Sequence, residues 1–246
     1  MPDDASLLNL NTIVESYAGL EGRQLIATAI KNHPGRVALL SSFGAESSVL
    51  LHMVSEIAPD LPVLFLDTEK LFSETLEYRN QLVRELGLTN LQNIHPDLED
   101  IARVDPDGIL HTFDKDLCCH FRKTVPMQKA FAAFDIIISG RKRFHGTTRS
   151  DLQYVTAQDG RIKLEPLAGF SALDLSNYMI THHLPSHPLK LQGYRSIGCI
   201  PCTTQGGTDE DPRAGRWVGS DKTECGIHFS VNGQVIRTES RVAATV

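Results

Sequence analysis

Four of the five cysteines fall into two close pairs, Cys118-Cys119 and Cys199-Ile-Pro-Cys202, while the fifth, Cys225, lies apart near the C-terminus. The two groups point to different chemistry. Four thiolates form a ligand set for Zn²⁺ or for an iron–sulfur cluster. Adjacent cysteines are poor disulfide partners and are uncommon in structural zinc sites, where paired ligands are usually two to four residues apart, so the cluster is the favoured occupant and zinc the alternative. Arg122 and Lys123, directly after the first pair, could offset thiolate charge and reach a nearby anion. Cys225 sits in Asp221-Lys-Thr-Glu-Cys-Gly-Ile-His228, close to Lys222 and His228 and downstream of Arg213 and Arg216. A thiol near cations, beside a glycine that lets the chain bend, suits a nucleophile. An exposed cysteine in a tail is the plainer account. His52 and His120 fit helical positions, and His182, His183 and His187 have no evident role.

A second constellation is built for an anion. An apolar run, Val37-Ala-Leu-Leu-Ser41, is followed by Ser42-Phe-Gly-Ala-Glu46-Ser47 and a helical pattern. Small residues let backbone N–H groups approach a phosphate, hydroxyls add donors, and a helix N-terminus adds a favourable dipole. The bland alternative is a plain strand-to-helix turn capped by Ser47. The segment has neither the Gly-Lys-Ser/Thr ending of a Walker loop nor the dinucleotide glycine pattern. A second strand end, Leu66-Asp67-Thr68, faces the same crevice in an open parallel sheet. A third, Ser139-Gly-Arg141-Lys-Arg143 with Thr148-Arg149, is a basic cluster in a chain of net charge −6.

The elements that must position these residues alternate. Helices are expected between Leu7 and Ile30, ended by Asn32-His-Pro-Gly35. Strands are expected at Val37–Ser41, Pro62–Asp67, Leu91–Ile94 and Ile136–Ser139. Helices follow Ser47, span Phe72–Leu86 with Gly87 as stop, and cover Phe121–Phe134. Asp159-Gly160 predicts a hairpin turn between Tyr154-Val-Thr156 and Ile162-Lys-Leu164. Ser171 and Asp174 predict a capped helix to His182. Strands alternating with helices imply an α/β fold, a doubly wound and mainly parallel sheet. The expected organisation is an N-terminal helical segment over 1–35, an α/β domain with the cysteine site over 36–203, and a mobile segment over 204–246 carrying Cys225.

The chain has 246 residues, 41% apolar and 22% charged, enough for one core. The acidic balance argues against nucleic-acid binding. The apolar runs, such as Ile136-Ile-Ile138, are strand-sized, so no membrane span is expected. The N-terminus lacks a basic start and apolar stretch, which predicts a cytoplasmic protein whose cysteines serve metal or catalysis.

Together these motifs resemble the assimilatory sulfonucleotide reductases of the PP-loop superfamily, specifically the thioredoxin-dependent adenylylsulfate (APS) reductase branch. The resemblance covers Val37 to His228. It is carried by Ser42-Phe-Gly-Ala-Glu46, Leu66-Asp-Thr68, Cys118-Cys119 with Arg122-Lys123, Ser139-Gly-Arg-Lys-Arg143, Gly193-Tyr-Arg-Ser-Ile-Gly-Cys199-Ile-Pro-Cys202, Arg213-x-x-Arg216-Trp217 and Glu224-Cys-Gly-Ile-His228. It implies a [4Fe–4S] cluster on Cys118, Cys119, Cys199 and Cys202. It implies attack of Cys225 on the sulfur of APS, an S-sulfocysteine intermediate, and release of sulfite by thioredoxin or a glutaredoxin-like thiol. His228 and Lys123 would assist. Ser41, Ser42, Gly44, Ala45 and Glu46 would lie against the nucleotide, Leu66 and Thr68 near base and ribose, and Arg141, Arg149, Arg213 and Arg216 against the charged groups. Family members form homo-oligomers. The residues after His228 have no counterpart in the pattern. The rivals are a reductase that also accepts phosphoadenylylsulfate (PAPS), a PP-loop sulfur transferase acting on tRNA, and a non-catalytic zinc-stabilised nucleotide binder.

Overall fold

The computed structural model describes residues 4–146, 149–208, 211–220 and 222. Its centre is a sheet of six strands: β1 (Val37–Leu40), β2 (Val63–Leu66), β3 (Leu91–Ile94), β4 (Ile136–Ile138), β5 (Val155–Gln158) and β6 (Arg161–Leu164). The spatial order is β3-β2-β1-β4-β6-β5. All neighbours are parallel except β5 and β6. The sheet is therefore mainly parallel, as the alternating pattern predicts.

β1, β2 and β4 are apolar throughout because helices cover both of their faces. Side chains alternate between the two: Val37, Leu39, Val63, Phe65, Ile136 and Ile138 enter the larger core, while Ala38, Leu64, Leu66 and Ile137 meet Met127, Phe131 and Phe134 on the other side. The larger core also takes in Tyr17, Leu25, Ile26 and Ala29. The N-terminal helices α1 (Asp4–Ser16) and α2 (Gly22–Asn32) are thus part of the body and not an appendage. Helices α3 (Ser47–Ser55) and α4 (Ser73–Glu85) follow β1 and β2. β3 leads through α5 (Leu98–Val104), α6 (Leu110–Phe113), α7 (Lys115–Cys119) and α8 (Val125–Phe131) to β4.

Several local expectations hold. Asp159 and Gly160 both take positive φ (54° and 72°), as a two-residue hairpin turn demands. Ser171 and Asp174 form both bonds of a capping box at the start of α9 (Ala172–Thr181). Others are corrected. The helix expected over 121–134 begins earlier, at Lys115, ends at Phe131, and contains one π-helical turn, His120–Thr124. Pro126 is the physical reason: it has no N–H to give the carbonyl of residue 122, and its ring crowds that carbonyl in a regular α-helix. The described part of the segment after 203 makes contacts of its own with the residues before it. Thr203 bridges to Arg216, and Trp217 is 3% exposed. Among the described residues no helix is long and apolar enough to cross a membrane.

Candidate active site

The strand order changes direction between β1 and β4, which opens a crevice at their C-terminal ends. A cavity of about 260 Å³ lies there. Its lining includes every described residue that the sequence put against a nucleotide: Ser41, Ser42, Gly44, Ala45 and Glu46 after β1, Leu66 and Thr68 after β2, Arg141 and Arg149 after β4, and Arg213 and Arg216 from the C-terminal segment. Lys123 and Cys199 line it too. Cys225 and His228 lie outside the described residues.

The loop after β1 is held in a tight form. The Ser41 hydroxyl accepts from Phe43 N–H (3.2 Å), and Phe43 is fully buried at φ 48°, edge-on to Phe65. A bulky residue at positive φ is a strained conformation that the packing must enforce. The helix cap differs from the bland sequence reading: Ser47 is already helical, and Glu46 takes the cap position without a capping bond. Its carboxylate turns instead to Lys142 Nζ (2.6 Å) and His145 Nε2 (3.0 Å). Burial opposes ionisation of Glu46, but Lys142 and His145 outweigh it and hold the carboxyl at about 2.

A second buried carboxylate organises the end of β4. Glu165 accepts from the Ser139 hydroxyl (2.6 Å), from Arg141 N–H (3.2 Å) and from Arg141 Nε (2.7 Å). Arg141 is thus already paired. Sequence reasoning did not find Glu165, Lys142 or His145 as site residues. Lys142 stood in the basic run, but nothing local marked which acid would meet it.

The opposite wall carries the cysteines and the C-terminal segment. Cys119, Cys199 and Cys202 are buried and Cys118 is half-buried, all as free thiols. Burial raises the Cys118 thiol to about 11; Arg122 opposes this, and Cys199 and Cys202 add to it. The two pairs, 80 residues apart in sequence, therefore share one electrostatic neighbourhood. Among the described residues, no three side chains of His, Cys, Asp or Glu are grouped as ligands of a single metal ion. Thr68 Oγ1 lies 3.2 Å from Cys199 Sγ, so its hydroxyl is engaged with a thiol. Arg122 is engaged through all three nitrogens: it donates to Asp105 through Nε and Nη2 (3.1 and 2.9 Å), and to Thr68 O and Glu69 through Nη1 (both 3.0 Å). It clamps the β2 loop to the cysteine helix, while Lys123, next in the chain, lines the cavity. Lys222, expected to lie near Cys225, pairs with Asp116 of α7.

Arg216 donates through Nε to Cys202 O (3.1 Å) and stacks over Trp217 at 4.5 Å. Its Nη2 is buried and has no hydrogen-bond partner among the described residues. Gly198 makes room for it, since a Cβ there would overlap the guanidinium. The cavity thus combines small-residue backbone at a helix start, several cations and one cysteine of the four, Cys199. Chemically, it is a receptacle for an anionic ligand.

The chain matches the family described as phosphoadenosine phosphosulfate reductase domain over residues 36–205. It is 50% identical over 194 residues to a Mesorhizobium japonicum protein named adenosine 5'-phosphosulfate reductase, covering 79% of this chain and 76% of that protein. A protein of the same name from Chelativorans sp. is 44% identical over 215 residues, covering 87% of this chain and 88% of that one. A crystal structure of phosphoadenylyl-sulfate (PAPS) reductase from Candida auris superposes with TM-score 0.66 at 21% identity, over 79% of this chain and 96% of that one, a likeness of fold. The fold, the cavity and these matches agree that the chain belongs to the phosphoadenosine phosphosulfate reductase family.

Proposed function

We propose that this protein is an adenylylsulfate reductase of assimilatory sulfate reduction. The observation that carries the reading is the cavity at the β1/β4 crevice, where the loop after β1, the basic residues and Cys199 converge. Relatives named for the same activity support it.

The phosphosulfate anhydride would lie among Ser42, Gly44, Lys123, Arg149, Arg213 and Arg216, with the nucleoside toward Leu66. The Cys225 thiolate attacks the sulfur of APS. An S–S bond forms, the S–O bond to phosphate breaks, and AMP leaves with the electron pair. Cations around the cavity stabilise the charge that builds on the departing phosphate. A thioredoxin thiolate then attacks Cys225 Sγ, sulfite departs with the bonding electrons, and the second thioredoxin thiol resolves the mixed disulfide. The reductant is thereby oxidised by two electrons. His228 would assist at Cys225.

The donor set suits a [4Fe–4S] cluster. It comprises four free thiols, three of them buried, in two pairs that feel each other's charge. Cys118, Cys119, Cys199 and Cys202 would hold it, and the bound group would supply a fixed charge distribution beside Lys123 instead of electrons.

The test is intact-protein mass spectrometry after anaerobically purified protein meets APS, and separately PAPS, without reductant. A sulfonate adduct on Cys225 with APS alone is the expected result. Adducts with both would establish the dual-substrate rival. A folded, brown protein that forms neither would overturn the reading. Replacing Cys225 with Ser should end sulfite release and leave the brown colour, whereas replacing Cys119 should bleach the protein.

A further inference from the structure

His187 has no part in the chemistry above, yet it is the most thoroughly enclosed histidine among the described residues, with none of its surface exposed. It stands immediately before α10 (Pro188–Leu191) and packs its ring on Tyr78 at 4.9 Å. Its Nδ1 accepts from Leu189 N–H (3.2 Å), and its Nε2 lies 3.1 Å from Thr75 Oγ1. The first bond fixes the tautomer. With Nδ1 accepting, the proton sits on Nε2, and Nε2 must donate to the Thr75 hydroxyl. Burial keeps the ring neutral by lowering it to about 4, against a weak opposing pull from Glu74.

Thr75, in α4 after β2, lines the cavity, as do the uncharged Leu66, Thr68 and Leu71 of the same stretch. Its hydroxyl oxygen receives the imidazole proton, and among the described residues the hydroxyl has no second hydrogen-bond partner. Its own proton is left to give. The same histidine anchors Leu189, which packs against Ala45 and Ile197 of the cavity wall. One neutral ring therefore braces two parts of the wall that are remote in sequence.

We propose that His187 and Thr75 form a positioning and specificity pair, in which the imidazole fixes the Thr75 hydroxyl as a hydrogen-bond donor to the nucleoside half of the ligand. This inference rests on the adenylylsulfate reading. The charged half of such a ligand belongs with the cations, so the neutral β2 side takes the base and ribose, whose ring nitrogens and oxygens are acceptors. A contact to the non-reacting part is the same in ground and transition states. It raises affinity without changing the chemical step.

The experiment uses the full-length, cluster-loaded protein. Steady-state kinetics with APS and direct binding of AMP are measured for Thr75→Val, Thr75→Ser, His187→Asn, His187→Gln and the Thr75→Val/His187→Asn double variant. Thr75→Val, a near-isosteric change, should raise KM for APS and Kd for AMP about 5- to 15-fold, the worth of one neutral hydrogen bond, with kcat within about twofold. Thr75→Ser should restore wild-type values. Asn can still accept from Leu189 N–H but does not reach Thr75, so His187→Asn should match Thr75→Val. Gln, whose amide reaches the Nε2 position, should recover most of the affinity. The double variant should be no weaker than Thr75→Val alone. Wild-type KM and AMP affinity in folded Thr75→Val, or a fall in kcat at constant KM, would overturn the inference while leaving the parent reading intact. A wild-type protein that binds neither APS nor AMP would sink both.

Discussion

Two arginines in one cavity have opposite circumstances. Arg141, on the sheet side, is locked by three bonds to the buried carboxylate of Glu165, one of them from its own backbone. Arg216, on the cysteine side, is stretched over Trp217 with only Nε bonded among the described residues, and Nη2 is buried without a partner. Near Arg141, Lys142 is likewise neutralised by Glu46. The sheet side is thus a finished electrostatic structure that shapes the floor. The cysteine side keeps unsatisfied donor capacity, so an incoming anion gains most there. A buried, unpaired donor is costly, and an anion bound there would relieve that cost.

The sharpest way to break this contrast is to remove the carboxylate that occupies Arg141. Glu165→Ala leaves a partly buried guanidinium uncompensated and should destabilise the fold by about 3–5 kcal/mol, read by denaturant unfolding. A loss under about 1 kcal/mol would show that Arg141 is not structurally committed. Next comes Arg216→Met, which keeps the stem on Trp217 and deletes the donors. It should lower kcat/KM for APS about 50- to 200-fold, on the order of one charged hydrogen bond, with little change in unfolding midpoint. Equal stability losses at both positions would erase the distinction.

A third measurement separates enclosed from accessible groups by pH. The unfolded chain protonates His187 near 6.5, while the folded protein resists until about 4. As pH falls through that window the unfolded state takes up a proton first. His187 should therefore cost stability progressively from about pH 6.5 to 4, roughly 3 kcal/mol in total. Unfolding free energies at several pH values should show a flatter slope there in His187→Gln, and an unchanged slope would contradict the enclosure. The smallest expected effect is Gly198→Ala. The added methyl pushes the Arg216 guanidinium aside and should raise KM about tenfold, in the direction of Arg216→Met but by less.

What was legible in advance divides by range. The hairpin at Asp159-Gly160, the capping box of Ser171 and Asp174, and the apolar strands follow from forces acting over a few residues, so their signals are local and survive in the sequence. The residues that line the cavity were also legible as a set, because strand ends in a parallel sheet converge on one crevice whatever their separation. Their partners were not. Glu46 meets Lys142 across 96 positions and His187 meets Thr75 across 112. No spacing rule connects them. The π-helical turn after Cys119 shows the same limit, because Pro126 signals a disturbance without saying how the helix absorbs it.

The sequence by itself determined which elements form, which strand ends gather and which thiols come in pairs, since backbone propensity, apolar periodicity and residue chemistry are properties of neighbouring positions. Only the tertiary structure decided which cations are already satisfied, which donor remains open and which histidine is sealed in the core. Those outcomes depend on desolvation and on charges brought together from distant parts of the chain, and these exist only once the core has closed around them.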